Sequence, residues 1–154
     1  MDTRYNSAIV SEILSKYTYC THFNPSTVPL QARDKYKDYK FFDSDADLKI
    51  AFAHWGGQYS PEPEKEQINI GNYLNDKGYN IIGSGPHTPH QVEIQNDKMI
   101  AYSLGDFLSK HQKPGTTNKG IILNITFENN KVISYKETPI HTETINGSSI
   151  IKIS

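Results

Sequence analysis

The stretches D-L-K-I-A-F-A-H-W-G-G-Q-Y, residues 47–59, and Y-N-I-I-G-S-G-P-H, residues 79–87, decide the fold. Each begins with a short apolar run, Leu48 to Ala53 and Tyr79 to Ile82, whose length and branched or aromatic residues indicate a β-strand. The segment between them, Glu64 to Lys77, is long enough for about three to four helical turns. Strand, helix and strand within about 35 residues predict a βαβ unit with parallel neighbouring strands and a right-handed crossover.

Local signals set the ends of the predicted helix. Pro61 and Pro63 precede it, and prolines are common just before or at the first turn of a helix. Glu64 and Glu66 provide negative charge where the helix dipole favours it. Gly78 is the residue type that most often ends a helix. The sequence therefore predicts a helix from residue 64 to residue 77.

Histidines follow both predicted strands. His54 comes directly after the first strand, and His87 follows the second. Parallel strands end at the same edge of a sheet, and open α/β sheets bind ligands beyond the carboxyl ends of their strands, so the two imidazoles are expected to face one site. Either histidine alone is explained equally well by a capping or packing role. Their shared placement is what raises the hypothesis of a metal site.

Composition indicates a single globular domain. The chain has 154 residues, 36% hydrophobic and 21% charged, which makes one packed core feasible. The net charge is -1 without a basic run, so nothing indicates nucleic-acid binding. Cys20 is the single cysteine, and no internal disulfide can form. No apolar run approaches the roughly 18 residues of a membrane span, and we expect neither a signal peptide nor an anchor.

The sequence before the βαβ unit is less regular. Ser7 to Tyr17 has apolar residues at helical spacing and predicts an amphipathic helix. Residues 18–46 lack sustained periodicity, and we expect a long surface connection with one helical turn near Asp34. A connection of this length suggests either binding or dependence on a segment outside this sequence.

The sequence after Gly85 is typical of antiparallel β-structure. A hairpin is predicted from Gln91 to Leu104, followed by a polar loop from Gly105 to Lys119. Three more strands, separated by Asn-rich and Asn-Gly turns, are predicted at Gly120–Phe127, Val132–Glu137 and Ser148–Ile153.

Four short motifs occur in order: Y-T-Y-C-T at residues 17–21, H-W-G-G-Q-Y at 54–59, G-S-G-P-H at 83–87 and Y-S-L-G-D-F at 102–107. This series resembles the bacterial capsule-synthesis CapA family, also called the poly-γ-glutamate biosynthesis family. Its members carry Y-T-Y-G-T, H-W-G-x-E-Y, G-x-H-P-H and Y-S-L-G-N-F. The resemblance extends from about residue 15 to residue 140, and four motifs in order are far more specific than any one of them.

The resemblance implies a fold and a site. The family belongs to the calcineurin-like metallophosphatase superfamily, whose fold is a two-sheet β-sandwich with flanking helices and metals at strand ends. The expected fold class is therefore α/β, with a βαβ unit followed by antiparallel hairpins as part of such a sandwich. His54 and His87 would be ligands of a divalent metal, either Mn, Zn or Fe. The remaining pocket residues would be Trp55, Gly56, Gln58, Tyr59, His90 and Asp106.

Departures from the family motifs leave that site incomplete. Gly85 stands at the first histidine of H-P-H, and Gln58 replaces a glutamate. Asp106 replaces an asparagine and Cys20 a glycine. His90 stands where glutamine is usual, and it is either an exposed loop histidine or a partial substitute for the missing ligand. Catalytic zinc sites typically use about three protein ligands and a water molecule, and binuclear hydrolase sites need more, so a binuclear hydrolase built from this chain alone is not expected.

The motif matches and the departures from them together lead to three functional hypotheses. Residues 1–154 would form one CapA-like domain that lacks the family's N-terminal half, in which further metal ligands lie. The first hypothesis is a metallophosphatase-like protein of capsule, poly-γ-glutamate or envelope polymer synthesis with an incomplete metal site, and whether it is an enzyme stays open. The second is a non-catalytic module that binds a polymer or a partner chain through the edge containing His54, Trp55 and Tyr59. The third is a fragment that self-associates through an exposed apolar patch.

Overall fold

Two β-sheets and one helix make up the described part of the chain, which comprises residues 18–23, 46–108 and 118–154 of a computed structural model. In chain order the elements are β1 (Thr18–Phe23), β2 (Leu48–His54), α1 (Lys65–Asp76), β3 (Asn80–Ser84), β4 (Val92–Gln95), β5 (Lys98–Ala101), β6 (Lys119–Glu128), β7 (Lys131–Ile145) and β8 (Ser148–Ile153). The predicted α/β class is confirmed. In these residues no helix is long and apolar enough to cross a membrane.

The predicted βαβ unit is the centre of a five-stranded sheet with the order β1-β2-β3-β5-β4. Strands β2 and β3 are parallel, and their register pairs Ile50 with Asn80 and His54 with Ser84. Strand β5 continues the parallel set beside β3, and β4 closes the hairpin in the antiparallel direction. The carboxyl ends of β2 and β3 are therefore adjacent, as the sequence predicted.

Strand β1 corrects the prediction of an irregular connection over residues 18–46. Its six residues pair in parallel with β2, from Thr18 opposite Leu48 to Phe23 opposite Ala53. The prediction was wrong there because a parallel strand takes its register from a distant neighbour and needs no alternating pattern of its own. The predicted helix at Ser7–Tyr17 and the helical turn near Asp34 lie outside the described residues.

Helix α1 has the predicted ends to within one residue. Glu64 is its N-cap residue, and the Glu64 backbone N–H donates to the Gln67 side chain at 2.9 Å. At the other end, the Gly78 N–H donates to the Asn75 carbonyl oxygen at 2.8 Å. Gly78 has a φ of +84°, a left-handed conformation that favours glycine at a helix end.

The helix covers one face of the five-stranded sheet. Leu74 of α1 packs into a buried cluster with residues from three strands and the segments that follow or precede them. The cluster consists of Ala51, Ala53, Trp55, Leu74, Tyr79, Ile81, Ile100 and Tyr102. Burying this much apolar and aromatic surface is the main stabilising contribution on this side of the sheet.

The antiparallel sheet, with the order β6-β7-β8, covers the other face. Met99 and Ala101 of β5 are buried with Leu123 of β6, and Ile82 and Val132 pack at the edge of this second cluster. Two sheets that enclose apolar side chains in this way are consistent with part of the sandwich that the resemblance implied. This contact holds β6 and β7 against the centre of the βαβ unit.

Strand β7 is longer than the predicted Val132–Glu137, because it continues to Ile145 through Pro139. Proline lacks the N–H that a central strand needs, which is why the strand was expected to end before it. Pro139 is tolerated because pairing with β8 covers only the stretch from Ile140 to Ile145. The hairpin turns at Asn96-Asp97 and Asn146-Gly147 form as predicted, with positive φ at each position.

Two asparagines connect the sheets at the amino ends of the parallel strands. Asn130, in the turn between β6 and β7, accepts a hydrogen bond from the Lys49 N–H at 3.2 Å and one from the Asn80 amide at 3.1 Å. Its own amide group donates to the Gly78 carbonyl oxygen at 3.1 Å. Asn80 is fully buried and accepts the Met99 N–H at 2.9 Å. These bonds satisfy backbone groups that burial would otherwise leave unpaired.

Candidate functional site

The loops that follow β2 and β3 lie side by side at the carboxyl edge of the sheet. The Trp55 N–H donates to the Ser84 carbonyl oxygen at 2.9 Å, and the Tyr59 N–H donates to the Pro86 carbonyl oxygen at 2.7 Å. These two bonds extend the parallel arrangement past the strand ends. The histidine of each loop, His54 and His87, is therefore held at the same edge of the same sheet.

His54 is half-buried at the last position of β2, opposite Ser84. The Ser84 hydroxyl lies 3.4 Å from Nδ1 of His54 and donates to the Ala53 carbonyl oxygen at 3.3 Å. A hydroxyl can accept one hydrogen bond while it donates another, so Ser84 can connect the imidazole to the strand. No sequence pattern predicted this contact, although it follows from the strand register, which places Ser84 opposite His54.

Tyr59 and His87 form a stacked pair with unusual backbone geometry. Their ring centroids are 5.5 Å apart, with an interplanar angle of 29°. Tyr59 has a φ of 65° and His87 a φ of 58°. Residues other than glycine adopt such angles uncommonly, a tyrosine more rarely than a histidine, and backbone strain of this kind concentrates at functional sites. Two strained residues in mutual contact mark this edge as a candidate site.

His87 is also paired with Asp106, from the loop after β5. Its Nδ1 lies 2.7 Å from Oδ1 of the carboxylate. The His87 side chain is 38% exposed and that of Asp106 is 17% exposed, so the pair lies at the surface with the carboxylate on the inner side. Both residues were predicted to belong to the site, but their pairing was not predicted.

His90 corrects the expectation of an exposed loop histidine, because it is only 5% exposed. Its backbone N–H donates to the Ser103 carbonyl oxygen at 2.9 Å, and neighbouring Pro89 forms a bridge with Leu104. This pairing draws the residue inward, where Nε2 lies 2.9 Å from the Ser60 carbonyl oxygen. A carbonyl only accepts, so Nε2 carries the hydrogen and is engaged in a structural bond.

Trp55 supports the loops from beneath. It is 1% exposed, stacks on Tyr102 at 6.2 Å between centroids and donates from Nε1 to the Tyr102 carbonyl oxygen at 2.8 Å. Gly56 follows with a φ of +79°, and a β-carbon there would lie 2.5 Å from Oε1 of Gln67. Gln58 is exposed, as is Tyr59. That these residues shape a binding pocket stays a prediction.

Gly85 occupies a position where the backbone excludes a side chain. Its φ is +123°, and a β-carbon would lie 2.5 Å from the Trp55 carbonyl oxygen. The contact is with main chain, which cannot turn aside as a flexible side chain can. The histidine expected at this point from the family motif therefore has no room in this conformation, and the loop is built for glycine.

A second polar cluster lies on the hairpin β4–β5. The Tyr102 hydroxyl donates to Oε2 of Glu93 at 3.2 Å, and Gln91 and Gln95 donate to the same carboxylate at 2.6 and 2.9 Å. Burial of the phenol, with a smaller contribution from Glu93, raises the pKa of Tyr102 to about 12. Tyr102 is thus a neutral hydrogen-bond donor across the ordinary pH range.

The described residues do not by themselves fit a metal centre. Within residues 46–108 and 118–154, no three His, Cys, Asp or Glu side chains are grouped so that they could hold an ion. His54 lies against a serine hydroxyl, and Nδ1 of His87 is bonded to Asp106. A catalytic zinc site needs about three protein ligands, so a metal at this edge stays a prediction that requires ligands from elsewhere.

Comparison with known proteins identifies relatives of this stretch. The family described as bacterial capsule synthesis protein PGA_cap matches residues 11–111. The PGA biosynthesis protein CapA of Bacillus subtilis (strain 168) is 36% identical over 64 residues, which are 41% of this chain and 17% of that protein. The capsule biosynthesis protein CapA of Bacillus anthracis is 34% identical over 86 residues, which are 55% of this chain and 20% of that protein. The chain therefore spans at most a fifth of either relative.

Proposed function

Because this chain belongs to the family of bacterial capsule synthesis protein PGA_cap, we propose that it acts in the synthesis of a capsule or poly-γ-glutamate polymer. The observation that carries the proposal is the extent of the family match. Residues 11–111 include β1 to β5 and the loops with His54, Tyr59, His87 and Asp106. The matched segment is thus the part of the chain that forms the carboxyl edge of the sheet.

The finer part of the proposal is a metallophosphatase-like scaffold with an incomplete metal site. Two sheets around an apolar core support the scaffold, and the adjacent positions of His54 and His87 support the remnant site. Any divalent metal, whether Mn, Zn or Fe, would need further ligands from outside the described residues. For that reason we assign no reaction step to a metal.

The chain's own residues support a binding role at this edge. Tyr59 is 41% exposed, and its ring covers one face of the His87 imidazole. Asp106 bonds to the edge of the same ring at Nδ1. An aromatic surface beside an oriented imidazole can contact a polymer through stacking and hydrogen bonds, without bond cleavage. A non-catalytic module that binds polymer or a partner chain is therefore the second candidate.

Deletion of the gene in its own host tests the first proposal. We expect a loss of surface polymer, restored when the wild-type gene is returned on a plasmid. If the deleted strain makes as much capsule or poly-γ-glutamate as the parent, the proposal is contradicted. We also propose that the protein works at the cell envelope, where such polymers are assembled.

Activity assays separate the two candidates. The purified full chain, with added manganese, is assayed for phosphatase and phosphodiesterase turnover on generic substrates. Robust turnover excludes the non-catalytic module. Absence of turnover together with measurable binding of poly-γ-glutamate, and weaker binding of an α-linked polyglutamate of equal length, supports it.

Metal analysis tests the remnant site directly. The His54→Ala, His87→Ala double variant should lose divalent metal that the wild-type chain retains after purification. The matched control is His141→Ala, which removes a histidine from β7 in the second sheet. Equal metal content in the double variant and in the wild-type chain contradicts a site at His54 and His87.

Self-association is a further proposal about partners. Large apolar side chains are exposed on the second sheet, including Ile133 at 56%, Ile145 at 45% and Ile153 at 72%. Exposed apolar side chains favour contact with another protein surface where they form a contiguous patch. Small-angle scattering of the purified chain should reveal dimers or larger species at high concentration. A compact monomer throughout the concentration range argues against it.

A further inference from the structure

The two outer strands of the second sheet, β6 and β8, differ in how far their edges are protected. At the start of β6, the Ile121 N–H donates to the Leu104 carbonyl oxygen at 2.9 Å, and Lys119 accepts the Asp106 N–H at 3.0 Å. Near its end, the register with β7 shifts after Thr126, and such irregularities make an edge a poor template for another strand. Strand β8 pairs with β7 in an unbroken register, and no strand in the described part of the chain lies on its other side.

The register shows which backbone groups of β8 point to this open edge. Opposed residues of antiparallel strands alternate between pairs that exchange hydrogen bonds and pairs that do not. The Ser154 N–H donates to the Pro139 carbonyl oxygen at 2.9 Å, so every second residue before Ser154 also bonds to β7. The same alternation holds on β7, where the Thr142 N–H donates to Asn118 on the β6 side. The outward-facing backbone groups of β8 therefore belong to Ser149, Ile151 and Ile153.

The composition of β8 does not guard this edge. Edge strands often carry a charged side chain, especially lysine, that disfavours pairing with another strand. The single charged residue of β8 is Lys152, and its Nζ lies 2.6 Å from Oε2 of Glu143 in the same sheet. Hydrogen bonds from Lys152 and His141 hold the pKa of Glu143 below its usual range, so this carboxylate stays ionised beside the ammonium group. The charge of Lys152 is thus balanced within its own chain.

Burial stops one strand before the edge. Ile140 and Thr142 of β7 are buried, whereas the residues opposite them on β8, Ile153 and Ile151, are exposed and half-buried. Ile153 is 72% exposed, the highest value among the exposed large apolar side chains of the described residues. Its neighbour on β7 is already in place, so further cover for Ile153 has to come from a strand beside β8.

We propose that β8 pairs with β8 of a second copy of this chain, antiparallel and about a two-fold axis at Ile151. Ile151 then lies opposite Ile151 of the second copy, and Ser149 lies opposite Ile153 of the second copy. All the outward-facing groups of both strands are used, in about six hydrogen bonds. The second sheets of the two copies become one continuous sheet, through the self-complementary kind of contact that two-fold dimers use.

Other positions of the axis fit less well. An axis at Lys152 would place two like charges directly opposite each other, which is unfavourable. An axis at Ile150 would leave Ile153 opposite Gly147 in the turn, where no side chain can cover it. An axis between two residues would oppose outward-facing groups to groups that already bond to β7. The axis at Ile151 is therefore the one that the strand's own sequence favours.

The inference rests on the self-association proposed above, to which it gives a defined surface, and not on the proposed role in polymer synthesis. A pair of six-residue strands buries less than the roughly 800 Å² per partner of a standard interface. The dimer is accordingly weak and forms at high protein concentration.

Sedimentation equilibrium of the purified full chain, up to millimolar concentration, tests the pairing. Ile151→Pro removes an outward N–H without touching the ladder to β7, and proline is tolerated on an edge strand for that reason. We expect the dimer dissociation constant to rise at least about tenfold, because both hydrogen bonds at the axis are lost and the two rings obstruct close approach.

A second variant and a matched control accompany it. Ile153→Lys, at an exposed position, adds an unbalanced charge to the edge and should weaken the dimer severalfold without disturbing the fold. Ile133→Lys replaces an exposed isoleucine of β7 outside the stretch that pairs with β8, and it should leave the dissociation constant unchanged.

Isotope-filtered NOE spectra of a mixture of labelled and unlabelled chain test the register. Opposed residues without mutual hydrogen bonds have Cα atoms about 4.5 Å apart. With the axis at Ile151, the Hα of Ile150 should therefore show a contact with the Hα of Lys152 of the second copy.

The outcomes are distinct. A monomer at every concentration overturns both the self-association and the pairing of β8. A dimer that both β8 variants leave unchanged, or that only Ile133→Lys weakens, overturns the pairing while the self-association stands. Should Ile151→Pro fail to fold, as judged by its urea midpoint, Ile153→Lys and the NOE contact decide. A dimer without the contact from Ile150 to Lys152 overturns the axis at Ile151.

Discussion

Polar side chains lie at both ends of the parallel strands, but they form different kinds of contact at the two ends. At the amino end, Asn80 and Asn130 bond mainly to backbone groups, and the bonds join β2, β3 and β5 to the turn of the second sheet. At the carboxyl end, His87 bonds to a carboxylate and stacks on Tyr59, and both have strained backbone angles. The amino-end side chains provide hydrogen-bond partners for backbone groups, whereas the carboxyl-end contacts orient titratable side chains.

This difference separates structural polarity from functional polarity. A buried amide whose bonds go mainly to main chain is explained by the cost of leaving buried N–H and C=O groups unpaired. An imidazole held by another side chain on strained backbone is not explained by that cost. Changes at the amino end should therefore lower stability, and changes at the carboxyl end should lower function.

The largest effect on stability is expected from Asn80→Ala. The change leaves the buried Met99 N–H and the Lys49 carbonyl oxygen without the Asn80 partner. We expect the free energy of unfolding to fall by about 2–4 kcal/mol. Urea denaturation measures it, and Asn124→Ala, at an exposed position of β6, should change stability by less than about 0.5 kcal/mol. Equal effects of the two changes on the free energy of unfolding would contradict a structural role for the polar contacts at the amino end.

Asn130→Gly should have a smaller effect in the same direction. Glycine keeps the left-handed backbone, whose φ is 60°, but it removes the bonds to Lys49, Asn80 and Gly78. We expect a loss of about 1–2 kcal/mol, because some of the freed groups can reach water. Asn129→Gly, next to it with a φ of 49°, is the matched control. A double variant with Asn80→Ala should lose less than the sum if the two amides act as one network.

Tyr102 should make stability fall at alkaline pH. Its folded-state pKa of about 12 exceeds the ordinary value of 10.0, so the fold favours the neutral phenol. The stabilisation is complete below pH 10 and is lost as the pH rises toward 12. Urea midpoints measured across this range should fall less steeply for Tyr102→Phe than for the wild-type chain. Parallel curves would show that the Tyr102 hydroxyl does not titrate differently in the fold.

Tyr59→Gly should change stability least and still impair function. Glycine relieves the left-handed strain at this residue while it loses the ring contact with His87, so the two terms offset within about 1 kcal/mol. Tyr135→Gly, at a strand position with nearly the same exposure of 40% against 41%, should be more destabilising. Polymer binding should fall only for Tyr59→Gly. A large loss of stability in Tyr59→Gly would show that this residue mainly stabilises the fold and would contradict a role confined to binding.

Much of the fold was predictable because its signals are local. Two apolar runs around a helix of the right length predicted the βαβ unit, and Asn-containing turns predicted the hairpins. Strand β1 was missed because its pairing with β2 joins residues 30 positions apart in sequence. The length of β7 was underestimated because Pro139 looks like a terminator until one sees where β8 stops pairing.

The sequence predicted which residues belong to the candidate site, but it did not predict which of them contact one another. His54, Tyr59, His87 and Asp106 all came from motif positions, but the bond from His87 to Asp106 joins residues 19 positions apart. For His90 the sequence left two interpretations open, an exposed loop histidine or a partial substitute for the missing ligand. Its burial depends on the Ser60 carbonyl oxygen, 30 positions earlier, and no local pattern encodes that contact.

The most direct test of the difference between the two ends is the surface polymer made by a host whose own gene carries His87→Ala, compared with one that carries Asn130→Gly. At a growth temperature where both variant chains are folded, we predict that His87→Ala lowers capsule or poly-γ-glutamate severalfold without lowering the urea midpoint. Asn130→Gly should lower the midpoint and leave polymer near the parental level. Parental polymer in the His87→Ala strain would contradict the assignment of function to the carboxyl edge.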